Sequence, residues 1–301
     1  MLTINNQTAK QKIITYFEGA GLDYYYWDKA FNMHFGYYTR GMNPFNLSAL
    51  LNQMNQEALN RLQLDRCKNP LVLDLGCGLG ATSRYMAMAN AESQFCGFTI
   101  TPWQVEYGNQ LSKEAGLDER VRLYESDFAR LPLGNESADA AFALESACYA
   151  KGDGKAEFVK ELHRVLKPGG RFVITDGFRK HSRPLPGWLN KVYRKNMDCW
   201  ALTDLADVWL FTAELKKAGF CNIRIEDASW RVAPSFAYIP FVTLRFYWDV
   251  WKKQENTKLD QSRKNNVLAP ALGMIMGLSR KHFGYYLISG EKPKLSHPTK
   301  I

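Results

Sequence analysis

Short apolar runs with β character alternate with amphipathic helical stretches through the middle of the chain. Glycine, proline or other turn-forming residues bound the apolar runs, and the helical stretches repeat apolar residues every three or four positions. The pattern predicts five strands, at 71–75, 95–99, 121–124, 139–144 and 171–176. It predicts intervening helices at 81–90, 102–115 and 155–166. Strands that alternate with helices favour an α/β fold with a parallel sheet and right-handed crossovers.

Two more strands are predicted near the carboxyl terminus, at 222–227 and 285–293. A predicted helix at 212–220, ended by glycine, precedes the first of them. We therefore expect a Rossmann-like, doubly wound, mostly parallel sheet of seven strands. Helical insertions are expected to form a cap over its carboxyl edge, where open α/β sheets bind ligands.

The insertions and the N-terminal segment divide the predicted chain. Because each insertion follows the carboxyl end of a strand, its helices should cover the pocket and select the substrate. Helices outside the core are predicted at Gln7–Gly21, 47–64 and 267–278. The predicted segments are a helical and aromatic lid (1–67), the core (68–178, continued at 211–228), a substrate-side insertion (179–210), a helical substrate-binding insertion (229–283), and the last strand with a polar tail (284–301).

Three glycines at alternate positions follow the first strand. The strand 71–75 contains Asp74 and leads through Gly76, Gly78 and Gly80 into a predicted helix. Glycine permits positive φ and lets the backbone approach a ligand that a side chain would block. A strand, a tight turn and a helix N-terminus in this order predict a cradle for a nucleotide-like cofactor.

The glycine spacing alone does not identify the cofactor. Gly76, Gly78 and Ala81 also fit the dinucleotide fingerprint G-x-G-x-x-A. A dinucleotide fold normally places an acidic residue at the tip of the second strand to hold the ribose. The strand at 94–101 has no carboxylate at its tip, so a phosphate-binding role of the loop is unsupported.

Composition and charge limit the partners. The chain has 301 residues, 46% of them hydrophobic and 13% aromatic, as in a globular protein rich in aromatic residues. A net charge of +9 favours nucleic acid, a membrane surface or a phosphorylated substrate, although Lys and Arg are scattered. The one compact basic cluster contains Arg179, Lys180, His181 and Arg183, which could hold a diphosphate with magnesium or form a solvated loop.

The cysteines and the hydropathy indicate a reducing compartment. The six cysteines are far apart, with neither C-x-x-C nor zinc spacing to histidine, so no metal site is predicted. The polar residues 1–12 lack the apolar core of a signal peptide, and no apolar run reaches about 20 residues. We expect a cytoplasmic enzyme of unknown oligomeric state, and transient membrane contact stays open.

Five segments in order resemble the class I S-adenosylmethionine-dependent methyltransferases. They are the glycine loop at 74–80, Gly-Phe-Thr-Ile-Thr-Pro-Trp-Gln at 97–104, Glu-Ser-Asp-Phe at 125–128 with Leu-Pro-Leu at 131–133, Ala-Leu-Glu-Ser-Ala-Cys-Tyr at 143–149, and Glu-Leu-His-Arg-Val-Leu-Lys-Pro-Gly-Gly at 161–170. The second and fourth segments, with the aromatic stretch 24–38, most resemble one branch. That branch holds the sterol, tocopherol and prenyl diphosphate C-methyltransferases and the cyclopropane synthases.

The resemblance implies S-adenosylmethionine as the cofactor. The residues that would bind it are Asp74, Gly76, Gly78, Gly80, Thr99, Gln104, Asp127 and Phe128. Asp74 would hold the amino group through water, and Thr99 with Gln104 would serve the ribose. Asp127 would accept a hydrogen bond from the adenine amino group, and the backbone of Phe128 would contact the edge of the adenine ring. A structural acid at Asp74 and an ordinary loop acid at Asp127 are the alternatives.

Glu145 is the principal catalytic candidate. It ends the fourth strand after an apolar run, where a carboxylate is costly unless it has a partner. If the acceptor is an alkene, methyl transfer leaves a carbocation that Glu145 could stabilise and deprotonate while aromatic faces attract the cation. An ion pair with Arg or Lys is the alternative. His34 and Tyr25 in the lid are further catalytic candidates, although a histidine among aromatic residues is often packed structure.

We predict methylation of a hydrophobic small molecule, in the first place C-methylation of an isoprenoid, sterol-like or lipid alkene. The aromatic residues expected to bind this substrate are Tyr37, Tyr149, Trp188, Trp230 and Phe246. N- or O-methylation of a small natural product, which needs mainly proximity or a base, and cyclopropane formation stay open. Nucleic acid is disfavoured because the chain has neither a base-methylation motif nor a Lys/Arg-rich aromatic stripe.

Overall fold

A computed structural model describes residues 2–252 and 259–294, with side chains from residue 9 onward. The predicted polar tail at 295–301 and the part of the second insertion at 253–258 lie outside the described residues. The division of the chain into a core and inserted segments stays a prediction. Within the described ranges, no helix is both long and apolar enough to cross a membrane.

Seven strands form one sheet in the order β3-β2-β1-β4-β5-β7-β6. They are β1 Leu71–Leu75, β2 Gln94–Thr99, β3 Val121–Glu125, β4 Ala138–Leu144, β5 Leu166–Arg179, β6 Cys221–Asp227 and β7 Phe283–Glu291. The pairs β1·β2, β1·β4, β2·β3 and β4·β5 are parallel. Only β7 runs antiparallel to its neighbours, β5 and β6. The predicted α/β class and the mostly parallel sheet of seven strands are confirmed.

Ten α-helices are present in the described ranges. They are α1 Leu2–Ala20, α2 Leu47–Leu62, α3 Ala81–Ala89, α4 Pro102–Glu114, α5 Ala156–Val165, α6 Gly187–Cys199, α7 Val208–Lys217, α8 Ser229–Phe236, α9 Ile239–Lys252 and α10 Gln261–Leu278. Short 3₁₀ helices occupy Gly21–Tyr26, Leu64–Arg66 and Ala147–Tyr149. The helices predicted inside the core match α3, α4 and α5 within a residue or two, because their periodic apolar faces and caps are local signals.

One prediction in the core is wrong in detail. The sequence predicts a strand that begins at 171, but β5 begins at Leu166, directly after α5, and includes Lys167–Gly170. The strand accommodates the glycines through a register shift opposite Ala138 and Ala140 and through a positive φ of 82° at Gly169. The backbone N–H of Lys292 donates to the carbonyl of Gly170, so this segment is tied to the chain that follows β7.

The core lies on both faces of the sheet. Along β1, Val72 packs with α2 and α3 on one face, whereas Leu73 packs with α5 and α7 on the other. Successive side chains of a strand point to opposite faces, and a parallel sheet covered by helices must be apolar on both. This packing orients β1, β2 and β4 so that their carboxyl ends meet at one edge. The strand order reverses between β1 and β4, which is where such sheets form a ligand crevice.

Candidate active site

A cavity of about 690 Å³ opens at the carboxyl edge of the sheet. Its floor comes from the residues that follow β1, β2 and β4. Its aromatic wall comes from the N-terminal segment and from α8 and α9, and includes Tyr24, Tyr26, Trp27, Phe31, Phe35, Trp230, Phe236 and Phe246; α10 adds non-aromatic side chains such as Val267 and Met274. The cavity therefore joins a polar floor to a large apolar compartment, as in a site for a polar cofactor and a hydrophobic substrate.

Two of the three predicted glycines line the cavity. Gly76 and Gly78 have positive φ, 87° and 51°, and a Cβ atom on Gly76 would lie 2.4 Å from Cβ of Ser146. Gly80 has a φ of 75° and caps α3, but it is not part of the cavity wall. The first two positions thus need glycine for conformation and space, and the third needs it for the helix start.

Asp74 lies in the cavity floor and is buried. The hydroxyl of Ser83 donates a hydrogen bond of 2.7 Å to its Oδ2. Burial raises the pKa of Asp74 to about 7, against the smaller opposing effects of Ser83 and Arg84. A cation bound beside this carboxyl would favour its ionised form.

Thr99 and Gln104 are in contact at the end of β2. Oγ1 of Thr99 donates a hydrogen bond of 2.7 Å to Oε1 of Gln104, and both residues are buried in the cavity wall. Nε2 of Gln104 is buried without a hydrogen-bond partner among the described atoms. An unpaired buried amide is costly, so this N–H group is available to a hydrogen-bond acceptor on a ligand.

Asp127 and Phe128 line the cavity beyond β3. The backbone N–H of Ala129 donates to Oδ1 of Asp127 at 2.9 Å, and Lys10 of α1 forms an ion pair with Oδ2. The ring of Phe128 packs edge-on against Phe158. The N-terminal helix therefore reaches this part of the site, a contact that the sequence did not predict.

Glu145 lies where the floor meets the apolar compartment. It follows β4 with a positive φ of 52°, a strained conformation for a residue with a side chain. Its Oε1 accepts hydrogen bonds from the backbone N–H of Phe35 at 2.6 Å and from the phenol of Tyr285 at 2.8 Å. Desolvation outweighs these bonds and raises the pKa of Glu145 to about 8. No Arg or Lys pairs with it in the described ranges, which argues against the ion-pair alternative.

The other two catalytic candidates are placed differently. His34 lies in the cavity wall, but its Nδ1 contacts the carbonyl of Phe35 at 3.0 Å and its Nε2 contacts Oδ1 of Asn55 at 2.9 Å. Burial lowers the pKa of His34. Both ring nitrogens thus contact protein oxygens, which hold His34 in the lid.

Tyr25 does not reach the cavity. It is 45% exposed, whereas its neighbours Tyr24 and Tyr26 line the wall. These residues belong to a 3₁₀ helix, in which three residues make a turn, so one tyrosine of three points outward. The structure does not support the predicted catalytic position of Tyr25.

Three of the five predicted substrate residues, Tyr149, Trp230 and Phe246, line the cavity. The other two do not. Tyr37 is buried away from it, where its phenol donates to Glu226 at 2.7 Å, and Trp188 is 61% exposed in the first turn of α6. Aromatic residues of a lid serve the core and the surface as well as the pocket, and residue type alone does not separate these roles.

The basic cluster Arg179–Arg183 lies outside the cavity wall. Lys180 forms a 3.0 Å ion pair with Asp227, and Arg179 donates to the carbonyl of Arg183 at 2.8 Å. These contacts favour the solvated-loop alternative over a diphosphate site. The described residues also contain no group of three or more His, Cys, Asp or Glu side chains able to hold a metal ion.

Sequence reasoning missed the residues that reach the site from distant segments. Tyr285 of β7 holds Glu145, and Ser83 of α3 holds Asp74. Asp176 of β5 also lines the cavity, and burial raises its pKa to about 6. The only sequence signal for any of these residues was the adjacent pair Tyr285 and Tyr286 in the predicted last strand. The interior of the cavity thus combines several carboxyl groups with aromatic rings, which favours a cationic ligand.

The fold and site are those of a ligand-binding α/β protein whose glycine loop faces a cation-favouring cavity. Residues 73–174 match the family model described as a methyltransferase domain, so this chain carries a methyltransferase domain. Its sheet is that of the class I methyltransferase fold. The structure is similar to that of a cyclopropane synthase from Mycobacterium tuberculosis, with a TM-score of 0.78, 17% sequence identity, and coverage of 94% of this chain and 98% of that chain.

Two similar sequences are methyltransferases. A 2-methyl-6-phytyl-1,4-hydroquinone methyltransferase from Synechocystis is 32% identical over 54% of this chain and 49% of its own length. A botryococcene C-methyltransferase from Botryococcus braunii is 35% identical over 50% of this chain and 38% of its own length. The chain therefore spans half or less of these relatives.

Proposed function

We propose that this protein transfers a methyl group from S-adenosylmethionine to carbon in a hydrophobic acceptor, an isoprenoid, sterol-like or other lipid alkene. The observation that carries the proposal is the position of Glu145. Its carboxyl group is held by Phe35 and Tyr285 at the junction between a cofactor-sized polar floor and an aromatic compartment. The relatives that methylate a phytylated hydroquinone and botryococcene support a lipid acceptor.

The residues of the floor fit the cofactor. Gly76 and Gly78 leave room for close backbone approach, and Nε2 of Gln104 supplies an unpaired donor for a ribose hydroxyl. Asp74 lines the cavity and has a raised pKa because it is buried there. A bound cationic group would stabilise its charged form. Asp127 would accept from the adenine amino group in competition with Lys10. Bound there, the cofactor supplies an electrophilic methyl group on a sulfonium.

The side chains of the apolar compartment would act on the acceptor. Transfer of the methyl group would break its bond to sulfur, which keeps the electron pair as a neutral thioether. The alkene π electrons would form the new carbon–carbon bond and leave a positive charge on the adjacent carbon of the acceptor. The rings of Tyr24, Trp27 and Phe35 would exclude water and attract this charge. Glu145, ionised by the nearby cationic cofactor, would remove the proton from the neighbouring carbon and restore a double bond. Methylation of nitrogen or oxygen forms no carbocation and needs mainly proximity or a base.

The test is product analysis. The purified chain is incubated with methyl-labelled S-adenosylmethionine and a panel of sterols, prenylated hydroquinones, isoprenoid alkenes, prenyl diphosphates and amines, and products are read by mass spectrometry. We expect label on carbon, with loss of deuterium from an acceptor deuterated at the adjacent position. Glu145→Gln should still bind the cofactor and should lose roughly 10²–10⁴-fold in turnover. Label on nitrogen or oxygen, or full turnover by Glu145→Gln, would contradict the proposal.

We also propose a cytoplasmic location, because all six cysteines are free, as in a reducing compartment. The basic cluster at 179–183 does not contribute to the described cavity wall, so it would not hold a diphosphate there.

A further inference from the structure

Helix α9 carries an exposed stripe of large apolar side chains. Phe241, Leu244, Trp248 and Trp251 are 70%, 68%, 62% and 61% exposed. They recur at intervals of three, four and three residues, which places them on one face of a helix with 3.6 residues per turn. Tyr247, also exposed, flanks the stripe.

The opposite face of α9 is apolar as well. Ile239, Phe246 and Val250 are buried, and Ile239, Val242 and Phe246 line the cavity. A surface helix of a globular protein normally turns polar residues outward, so a helix that is apolar on both faces indicates a second apolar environment. Single exposed hydrophobic residues are common, but four in register on one helix form an interaction surface.

The charge around the stripe identifies that environment. Arg245 and Lys252 of α9 are exposed, whereas its one acidic residue, Asp249, is half-buried near Tyr26. The whole chain carries a net charge of +9. Trp and Phe concentrate at the boundary between lipid headgroups and acyl chains, and basic side chains beside them bind anionic headgroups. A protein partner with an apolar groove would not require this basic charge.

We propose that the stripe formed by Phe241, Leu244, Trp248 and Trp251 docks the protein on an anionic lipid bilayer, with α9 parallel to the membrane surface. The inference does not rest on methyl transfer, because it concerns the outer face of the helix. It has a consequence for the cavity: the same helix forms part of the cavity wall, so docking would place the cavity next to the bilayer.

The experiment is vesicle co-sedimentation of the full chain without any cofactor. The vesicles contain phosphatidylcholine alone or with 30% phosphatidylglycerol. The test variant is Leu244→Ser/Trp248→Ser/Trp251→Ser, and a second variant is Arg245→Gln/Lys252→Gln. The matched control is Trp209→Ser, which removes an equally exposed tryptophan from α7. Thermal unfolding confirms that each variant folds, and sedimentation equilibrium gives its oligomeric state.

We expect the wild-type chain and Trp209→Ser to bind the anionic vesicles. The triple variant should lose at least about tenfold in partitioning, since one fully buried large side chain is worth that factor. The Arg245/Lys252 variant should lose the salt-sensitive part of binding only. Absence of vesicle binding by the wild-type chain would overturn the proposal. A dimer that the triple variant dissociates would do so as well, because a second copy would then occupy the stripe.

Discussion

The phenol of Tyr285 donates a hydrogen bond of 2.8 Å to Oε1 of Glu145, although the two residues are 140 positions apart in the chain. The same phenol lies 3.3 Å from Oγ1 of Thr175. Thr175 on β5 pairs with Leu287 on β7, so the register between these strands sets the position of Tyr285. Glu145 itself follows β4 in a left-handed conformation that aims its side chain back into the cavity. The catalytic candidate is therefore oriented by β4, β5 and β7 together.

Loss of the Tyr285 phenol should shift the pH dependence of turnover. A hydrogen bond to the charged form lowers the pKa of a carboxyl group, and Tyr285 has this effect on Glu145. In Tyr285→Phe the pKa of Glu145 should rise by roughly one unit, since a hydrogen bond to a charged group is worth about 1.5 kcal/mol or more. Because the ionised carboxylate is the base, the rising limb of kcat against pH should move to higher pH. Tyr286→Phe is the control, and an unmoved limb in Tyr285→Phe would contradict the role of the phenol.

Replacement of Glu145 should change how stability depends on pH. The folded-state pKa of about 8 lies above the ordinary value of 4.5, so the folded chain holds a proton that the unfolded chain releases between these values. The contribution to stability is complete below about pH 4.5 and is lost as the pH rises toward 8. Glu145→Gln stays neutral and should therefore lose less stability than the wild type between pH 5 and pH 9. Tm measured without cofactor should show this as a shift of roughly 2–4 °C per kcal/mol. Parallel curves for the two proteins would contradict the raised pKa.

Alanine substitutions at Gly116, Gly76 and Gly78 should separate the effect of conformational strain from the effect of steric clash. Gly116 has a φ of 67° with no atom within 4 Å of an added Cβ, so Gly116→Ala reports strain alone, about 1 kcal/mol. Gly76→Ala adds a 2.4 Å contact with Ser146 and should be destabilised further. Gly78→Ala meets only the flexible Met33 at 3.1 Å, so it should fold and weaken cofactor binding. Urea unfolding and calorimetry would measure the two effects, and equal stability of Gly76→Ala and Gly116→Ala would contradict the clash.

Removal of the unpaired amide at Gln104 should weaken cofactor binding at a small cost in stability. Nε2 of Gln104 has no partner in the described atoms, but its Oε1 accepts a hydrogen bond from Thr99, and Gln104→Leu removes both groups. We expect Kd for the cofactor and for its demethylated product to rise roughly tenfold, and the unfolding free energy to fall by about 1 kcal/mol through the lost bond to Thr99. Gln110→Leu on the exposed face of α4 is the matched control. Unchanged affinity in Gln104→Leu would remove this residue from the cofactor site.

Binding of the cationic cofactor should release protons. Near neutral pH the raised pKa values of Asp74, about 7, and Glu145, about 8, leave both groups partly protonated. A bound cation favours their ionised forms, so calorimetry at pH 7 in buffers of different ionisation enthalpy should detect a net release. The release should shrink in Glu145→Gln and disappear near pH 9.5. Binding without proton release at pH 7 would mean that neither carboxyl faces the positive charge.

The strands and helices of the core could be predicted because their signals are local. The apolar runs of β1 to β4, the glycines at 76, 78 and 80 and the periodic faces of α3, α4 and α5 depend on neighbouring residues only. The same locality brought Asp74, Thr99, Gln104 and Glu145 to one edge, since residues at the carboxyl ends of parallel strands meet there. The floor of the site was thus within reach of sequence reasoning.

The tertiary structure decided what surrounds that floor. Tyr25, Tyr37 and Trp188 share a residue type with Tyr24, Tyr149 and Trp230, yet the first three lie outside the cavity wall and the last three line it. The phase of a 3₁₀ helix and the packing of the lid separate them, and neither appears in the order of residues. Ser83 on Asp74, Lys10 on Asp127 and Tyr285 on Glu145 likewise depend on how elements pack. A local pattern determines which residues a strand or helix contains, but contacts between distant segments form only when their buried surfaces fit together.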